Sequence, residues 1–248
     1  MQAEHDRRVS AETHRDFREA GFYRVLQPAR YGGMELDYGI QTAIARELGR
    51  GCASSAWVGV ILACHSWIAG MYPDQAQADI WDDDPDVVIA TSFLPVGVTV
   101  ERIGEGLRIS GRWRFSSGVD HCRWAILLVV VAPESGAGPP DPVFALVDLS
   151  SCRVEDTWRS AGLAATGSND IVVEGVDIPP HRMMRVMETR GNPALGAPGA
   201  YLYRLPLFAV FPFNLVGPAL GSARGALDAV AADLTNRQSA VGFDVSRV

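Results

Sequence analysis

Two stretches of this chain can fold in few ways. In residues 106–124, GLRISGRWRFSSGVDHCRW, the side chains Arg108, Ser110, Arg112 and Arg114 alternate with Leu107, Ile109, Gly111, Trp113 and Phe115. That period of two is the signature of a half-buried β-strand. The pattern stops at Ser116-Ser117-Gly118, where small residues let the backbone come close to something flat. Residues 161–179, AGLAATGSNDIVVEGVDIP, open with Gly162 and pass through the polar run Thr166-Gly167-Ser168-Asn169-Asp170. They close in a β-branched strand that ends at Pro179.

Around these stretches the chain changes character twice. Residues 1–85 read as helical: Ser10 caps a first helix whose Phe17 faces inward and which Gly21 stops. Asp37 caps a second, ending at Gly49 or Gly51, and Ser54 a third that runs to about Met71. Residues 86–188 hold the strand candidates VVIATSF, VGVTVERI, LRISGRWRF, WAILLVVVA, VFALVDL, CRVEDTW and IVVEGVDI, with Gly104-Glu105-Gly106 and Pro139-Pro140-Asp141 as turns. Such a density of short strands predicts a β-barrel or sandwich. In residues 189–248 a Gly/Pro-rich connection gives way near Val216 to a helical period, with Leu220, Ala223, Leu227, Val230 and Leu234 on one stripe. Gly217, Gly221 and Gly225 lie four apart on a neighbouring stripe, where another helix can pack very close.

Composition narrows the function classes. A net charge of −7 without a basic stripe argues against nucleic acid. The apolar stretch from Ala56 to Ala69 is broken by Gly59, His65 and Ser66 and is too short to span a bilayer. Cys52, Cys64, Cys122 and Cys152 have no metal-binding spacing and read as buried free thiols in a reducing cytoplasm. His5, His14 and His181 read as exposed, and His121 as part of a surface turn. No Gly-rich phosphate loop is present, so the chain shows no nicotinamide site, and electrons for any redox chemistry must arrive on another carrier.

In their order and spacing, and with helical sequence on both sides, the two stretches resemble the middle domain of the acyl-CoA dehydrogenase superfamily. They look most like its monooxygenase branch, the oxygenase components of two-component flavin-dependent hydroxylases. The likeness runs from about Phe17 to about Arg237, and Gly21-Phe22-Tyr23-Arg24-Val25-Leu26-Gln27-Pro28 followed by Tyr31-Gly32-Gly33 resembles the family's first-domain signature. The resemblance implies an α+β fold: an N-terminal helical domain, a central β-barrel or sandwich, and a C-terminal helical domain of which only the first helix is encoded. It further implies reduced FMN or FAD as cofactor, O2 as co-substrate, and a partner flavin reductase. A small aromatic or heteroatom-bearing molecule would be hydroxylated through a C4a-hydroperoxyflavin. A single amphipathic helix cannot bury its own apolar stripe, so the expectation is a homo-oligomer, a partner chain that completes the helical domain, or a fragment of a longer chain. An acyl-CoA dehydrogenase-type flavoprotein and a non-catalytic partner subunit of the same fold are the competing readings.

The same resemblance assigns roles residue by residue. Ser117 follows the aromatic Phe115 by two positions, the spacing at which the family's hydroxyl residue meets flavin N5, and Phe115 stands where dehydrogenases carry tryptophan. The competing reading makes Ser116 and Ser117 simple turn residues. Thr91, Ser92 and Phe93 match the segment lining the flavin ring and ribityl chain; Thr166 and Ser168 match the segment running past the flavin towards substrate. His65, alone among small and apolar neighbours, is either a hydrogen-bonded core residue or the histidine that accepts a phenol's proton. Arg237 resembles the arginine that binds flavin phosphate, against the plainer reading of a solvated helix end.

Overall fold

The computed structural model describes residues 2–133, 138–191 and 201–235. Five helices come first: α1 (Gln2–Asp6), α2 (Ala11–Glu19), α3 (Gly39–Gly51), α4 (Ala53–Ala69) and α5 (Asp74–Trp81). Ser10 caps α2 by accepting the Thr13 amide at 3.1 Å, and Asp37 accepts the Gly39 amide at 3.0 Å where α3 starts. The expected cap of the third helix is corrected. Cys52 caps α4 by accepting the Ser55 amide, while Ser54 lies inside the helix and donates to Glu4 of α1. Every residue of α4 from Val58 to Ala69 is buried, as a helix apolar on all faces requires.

Among the described residues eight strands follow: β1 (Ile89–Ser92), β2 (Pro95–Ile103), β3 (Gly106–Ser116), β4 (Trp124–Val131), β5 (Asp141–Asp148), β6 (Cys152–Glu155), β7 (Asn169–Ile178) and β8 (Met183–Arg185). They form two four-stranded sheets, ordered β1-β4-β5-β8 and β2-β3-β7-β6, and only the β1–β4 pairing is parallel. Strand β4 shows why its sequence is apolar without alternation. Ile126 faces a core shared with the helices, while Ala125, Leu127 and Val129 face a second core between the sheets. Strand β8 is too short to announce itself in the sequence.

A four-residue helix, α6 (Leu207–Val210), and a twenty-residue one, α7 (Val216–Thr235), complete the description, joined by a 3-10 turn at Phe211–Leu215. The glycine stripe of α7 lies on α3. A Cβ at Gly221 would come within 2.2 Å of the Arg46 carbonyl oxygen, and one at Gly225 within 2.3 Å of that of Arg50. The leucine stripe points the other way, and Leu227 is 61% exposed. Arg50 and Asp228 tie the two helices at 2.8 Å.

Histidine and cysteine placements differ from several expectations. His14 and His121 are partly buried and stack on one another at 4.4 Å, and partly buried His181 pairs with Asp79 at 2.8 Å. Of the four free cysteines, Cys64 alone is fully buried. The contacts that bury these histidines join segments about a hundred residues apart, so no local pattern signals them.

Candidate active site

One cleft, of about 310 Å³, gathers residues from four parts of the fold. Helix α4 contributes Trp57, Ile61 and His65; β1 and its exit contribute Thr91, Ser92, Phe93 and Leu94. The end of β3 adds Arg114, Phe115 and Ser117, and the 3-10 turn before α7 adds Phe211 and Leu215.

The β3 wall is built by a bulge. Register slips between Trp113 and Ser116, and Phe115 takes a left-handed backbone at φ +63°. For an aromatic residue that conformation is strained and persists only where its surroundings fix it. Here they do. Ser92 donates to the Arg114 carbonyl at 2.6 Å, the Arg114 amide donates to the Leu94 carbonyl, and Ser116 donates to the Thr91 carbonyl at 3.1 Å. The result leaves the Phe115 ring 44% exposed, with the Arg114 guanidinium 4.6 Å from its centre and Trp158 packed edge-on at 5.7 Å. Asn169 holds the Trp158 loop by accepting the amides of Thr157 and Trp158. Gly118 follows at φ +68°, where its amide donates to the Thr166 carbonyl at 2.8 Å and a Cβ would press within 2.8 Å of Val58.

The hydroxyls divide into two sets. Those of Ser92 and Ser116 are spent on backbone carbonyls. Ser117 faces the cleft and receives the Trp57 indole N–H at 3.1 Å. Behind it stand Ser168, at 2.8 Å from Ser117, and Thr166, at 2.7 Å from Ser168. Thr166 and Ser168 are buried and do not line the cleft; they reach it through Ser117.

On the α4 side His65 is 1% exposed and engaged at both ring nitrogens. Nδ1 lies 2.7 Å from the Ile89 carbonyl oxygen, which can only accept, so Nδ1 carries the proton. Nε2 is therefore the acceptor and takes the Thr91 hydroxyl proton at 2.8 Å. Burial drives the imidazole pKa down to about 4, only partly opposed by the Ile89 contact, so the ring is neutral at physiological pH. His65 is both the hydrogen-bonded core residue and a residue of the cleft, with Thr91 between it and any ligand.

Thus the structure brings His65, Thr91, Ser92, Phe93, Phe115 and Ser117 to one cleft and sets Thr166 and Ser168 behind it. Arg237 lies outside the described residues. Sequence reasoning missed Trp57, Arg114, Phe211 and Leu215. Arg114 had been absorbed into the solvent face of an alternating strand, a pattern that fails at a bulge. Among the described residues no group of three His, Cys, Asp or Glu side chains can hold a metal ion, and no helix is long and apolar enough to cross a membrane.

An aromatic wall with one cation above it, small residues at its foot and hydroxyls at its edge suits a flat heteroaromatic ring with polar edge atoms. Residues 1–79 match the family model for the N-terminal domain of acyl-CoA dehydrogenases. The fold overlays the crystal structure of 3-HSA hydroxylase from Rhodococcus sp. RHA1 with a TM-score of 0.89 at 32% identity, covering 96% of this chain and 62% of that one. It overlays XiaF from Streptomyces sp., solved with FADH2 and glycerol, with a TM-score of 0.85 at 26% identity, covering 98% and 61%. The chain has the acyl-CoA dehydrogenase-like fold. It is similar to oxygenase components of flavin-dependent monooxygenases. One is the FADH(2)-dependent resorcinol hydroxylase of Rhizobium sp. (strain MTP-10005), 35% identical over 231 residues, covering 92% of this chain and 56% of that protein. The chain spans about three fifths of the length of these relatives.

Proposed function

We propose that this chain forms the flavin-facing and part of the substrate-facing wall of an oxygenase component that takes reduced FMN or FAD from a separate reductase and hydroxylates a small phenol with O2. The observation that carries the reading is the pairing, across one cleft, of the Thr91–His65 dyad with the Phe115–Ser117 bulge. The Phe115–Ser117 bulge would hold a reduced flavin, which when bound would supply the two electrons of the reaction: one oxygen atom would enter the aromatic ring, the other would leave as water, and the flavin would be left oxidised.

The residues of this chain have separate tasks in that scheme. Phe115 and Trp57 would hold the flavin ring, Ser117 would offer its hydroxyl to N5, and the Arg114 cation would favour an anionic reduced form. Thr91 accepts the substrate's phenolic proton as it passes its own to Nε2 of His65, which makes the ring electron-rich at the carbon to be attacked. The imidazolium so formed is tolerable in its buried site because the phenolate is created beside it. The helices within residues 1–85 serve as a flank of the site, the strands within residues 86–188 as its β wall, and α7, within residues 189–248, as the approach to a helical domain. A cytoplasmic setting supplies the reductase and its reduced nicotinamide.

The test is oxygen uptake. The protein consumes O2 and forms hydroxylated product only when a flavin reductase, NADH and flavin are all present. Direct oxidation of NADH by the protein and flavin alone overturns the reading.

A further inference from the structure

We infer that Ser168, Thr166 and Trp57 fix the direction of the Ser117 hydroxyl so that it can only accept a hydrogen bond from a ligand, which makes the site selective for reduced over oxidised flavin.

The argument is a count of protons. Ser117 Oγ, Ser168 Oγ, Thr166 Oγ1 and the Leu163 carbonyl oxygen form a row with spacings of 2.8, 2.7 and 2.9 Å. Each of these three contacts needs one proton between its oxygens, and the row holds three hydroxyl protons. The carbonyl has none to give, so Thr166 must donate to Leu163. Ser168 must then donate to Thr166, and Ser117 to Ser168. At the other end the Trp57 indole N–H, a donor only, points at Ser117 Oγ from 3.1 Å. Ser117 thus has its proton committed inward and one lone pair accepting from Trp57. What remains for the cleft is a single lone pair. Burial of Thr166 and Ser168 keeps water from offering these groups other partners.

The inference rests on the reading that flavin N5 meets Ser117. Reduced flavin carries a hydrogen on N5 and donates it to that lone pair. Oxidised flavin has only a lone pair at N5, so the two acceptors face each other unless the row is broken. Ser168 and Thr166 lie behind the cleft lining and are positioning residues acting through Ser117, whereas Trp57 lines the cleft itself and also holds Ser117 by its indole N–H. The consequence is that the product of turnover, oxidised flavin, is released and the reduced form is recaptured.

Anaerobic ultrafiltration measures the affinity of FMN and of FAD in both redox states, the free flavin being counted by absorbance after reoxidation. The wild-type protein holds the reduced form more tightly. Ser168→Ala frees the Ser117 proton, so the oxidised form tightens by about three- to tenfold while the reduced form is unchanged. Thr166→Val moves the ratio of the two affinities the same way, and Thr166→Ser restores the wild-type ratio. Ser117→Ala lowers the ratio by the opposite route, weakening the reduced form. If Ser168→Ala and Thr166→Val leave the ratio unchanged while Ser117→Ala still weakens the reduced form, the directional row is refuted and the flavin reading survives. If Ser117→Ala changes neither affinity, or no flavin binds in either state, the flavin reading itself falls.

Discussion

Replacing His65 by asparagine isolates the proton chemistry of the buried imidazole. The asparagine amide can still donate to the Ile89 carbonyl, as Nδ1 does at 2.7 Å, but its shorter side chain places no acceptor where Nε2 meets the Thr91 hydroxyl. At pH 7.5 the orphaned hydroxyl and the small void together cost about 2 kcal/mol. The wild-type imidazole titrates near 4 in the folded chain against 6.5 when unperturbed, with burial as the main cause. Above pH 6.5 neither folded nor unfolded chain carries that proton, and the group adds no pH dependence. Between 6.5 and about 4 the unfolded chain takes up a proton the folded chain refuses, so stability falls by about 1.4 kcal/mol per pH unit, about 3 kcal/mol in all. His65→Asn lacks this loss. Its deficit therefore shrinks below pH 6.5, and the two stability curves cross near pH 5, at about 2 divided by 1.4 units lower. Urea unfolding followed by tryptophan fluorescence at half-unit pH steps reads the difference directly. His14 is also shifted down, to about 4, but titrates in both proteins and cancels. A gap that stays constant from pH 7.5 to 4.5 refutes the burial argument, and with it the claim that His65 is held neutral for proton acceptance.

Two further outcomes separate the site from the scaffold. Thr91→Val keeps the side chain's shape and removes the hydroxyl between ligand and His65; product formation should fall by about 10²-fold or more while reduced flavin is still oxidised, and Thr91→Ser should restore it, whereas full hydroxylation by the valine variant would remove Thr91 from the proton path. Gly221→Ala puts a methyl within 2.2 Å of the Arg46 carbonyl and should cost about 1–3 kcal/mol in thermal unfolding, against little change for Leu220→Ala on the exposed stripe of the same helix; equal effects would mean that α3 and α7 do not pack through glycine.

The strands were legible because period-two alternation and glycine or proline turns mark them locally, and β3 and β7 were found nearly residue by residue. Short elements such as α1, α5 and β8 span too few periods to leave a pattern. The start of α4 shows a different limit. Cys52 and Ser54 both have side chains able to accept an amide, and only the engagement of Ser54 with Glu4, fifty residues away, decides between them. In α7 the helical period found both stripes, but periodicity says nothing of which one meets a partner. Among the described residues the glycines meet α3 and the leucines do not meet a partner helix.

The site was legible in its residue types and not in their connections. Ser117 was singled out by its distance from Phe115, and Thr166 and Ser168 by a polar run fifty residues on, yet nothing in either segment reveals that the three hydroxyls stand in one row. Direction is less accessible still. It is set by the one atom in the row without a proton, the Leu163 carbonyl, and by the indole of Trp57 at the opposite end. The same logic orients His65, whose tautomer is dictated by the Ile89 carbonyl and whose remaining nitrogen can then only accept from Thr91. In both cases a backbone carbonyl set in place by packing, that of buried Ile89 or of half-buried Leu163, decides which way a side chain two or three hydrogen bonds away in the network can act. A substitution that alters that packing can therefore reverse a hydrogen bond in the cleft while leaving every cleft residue in place.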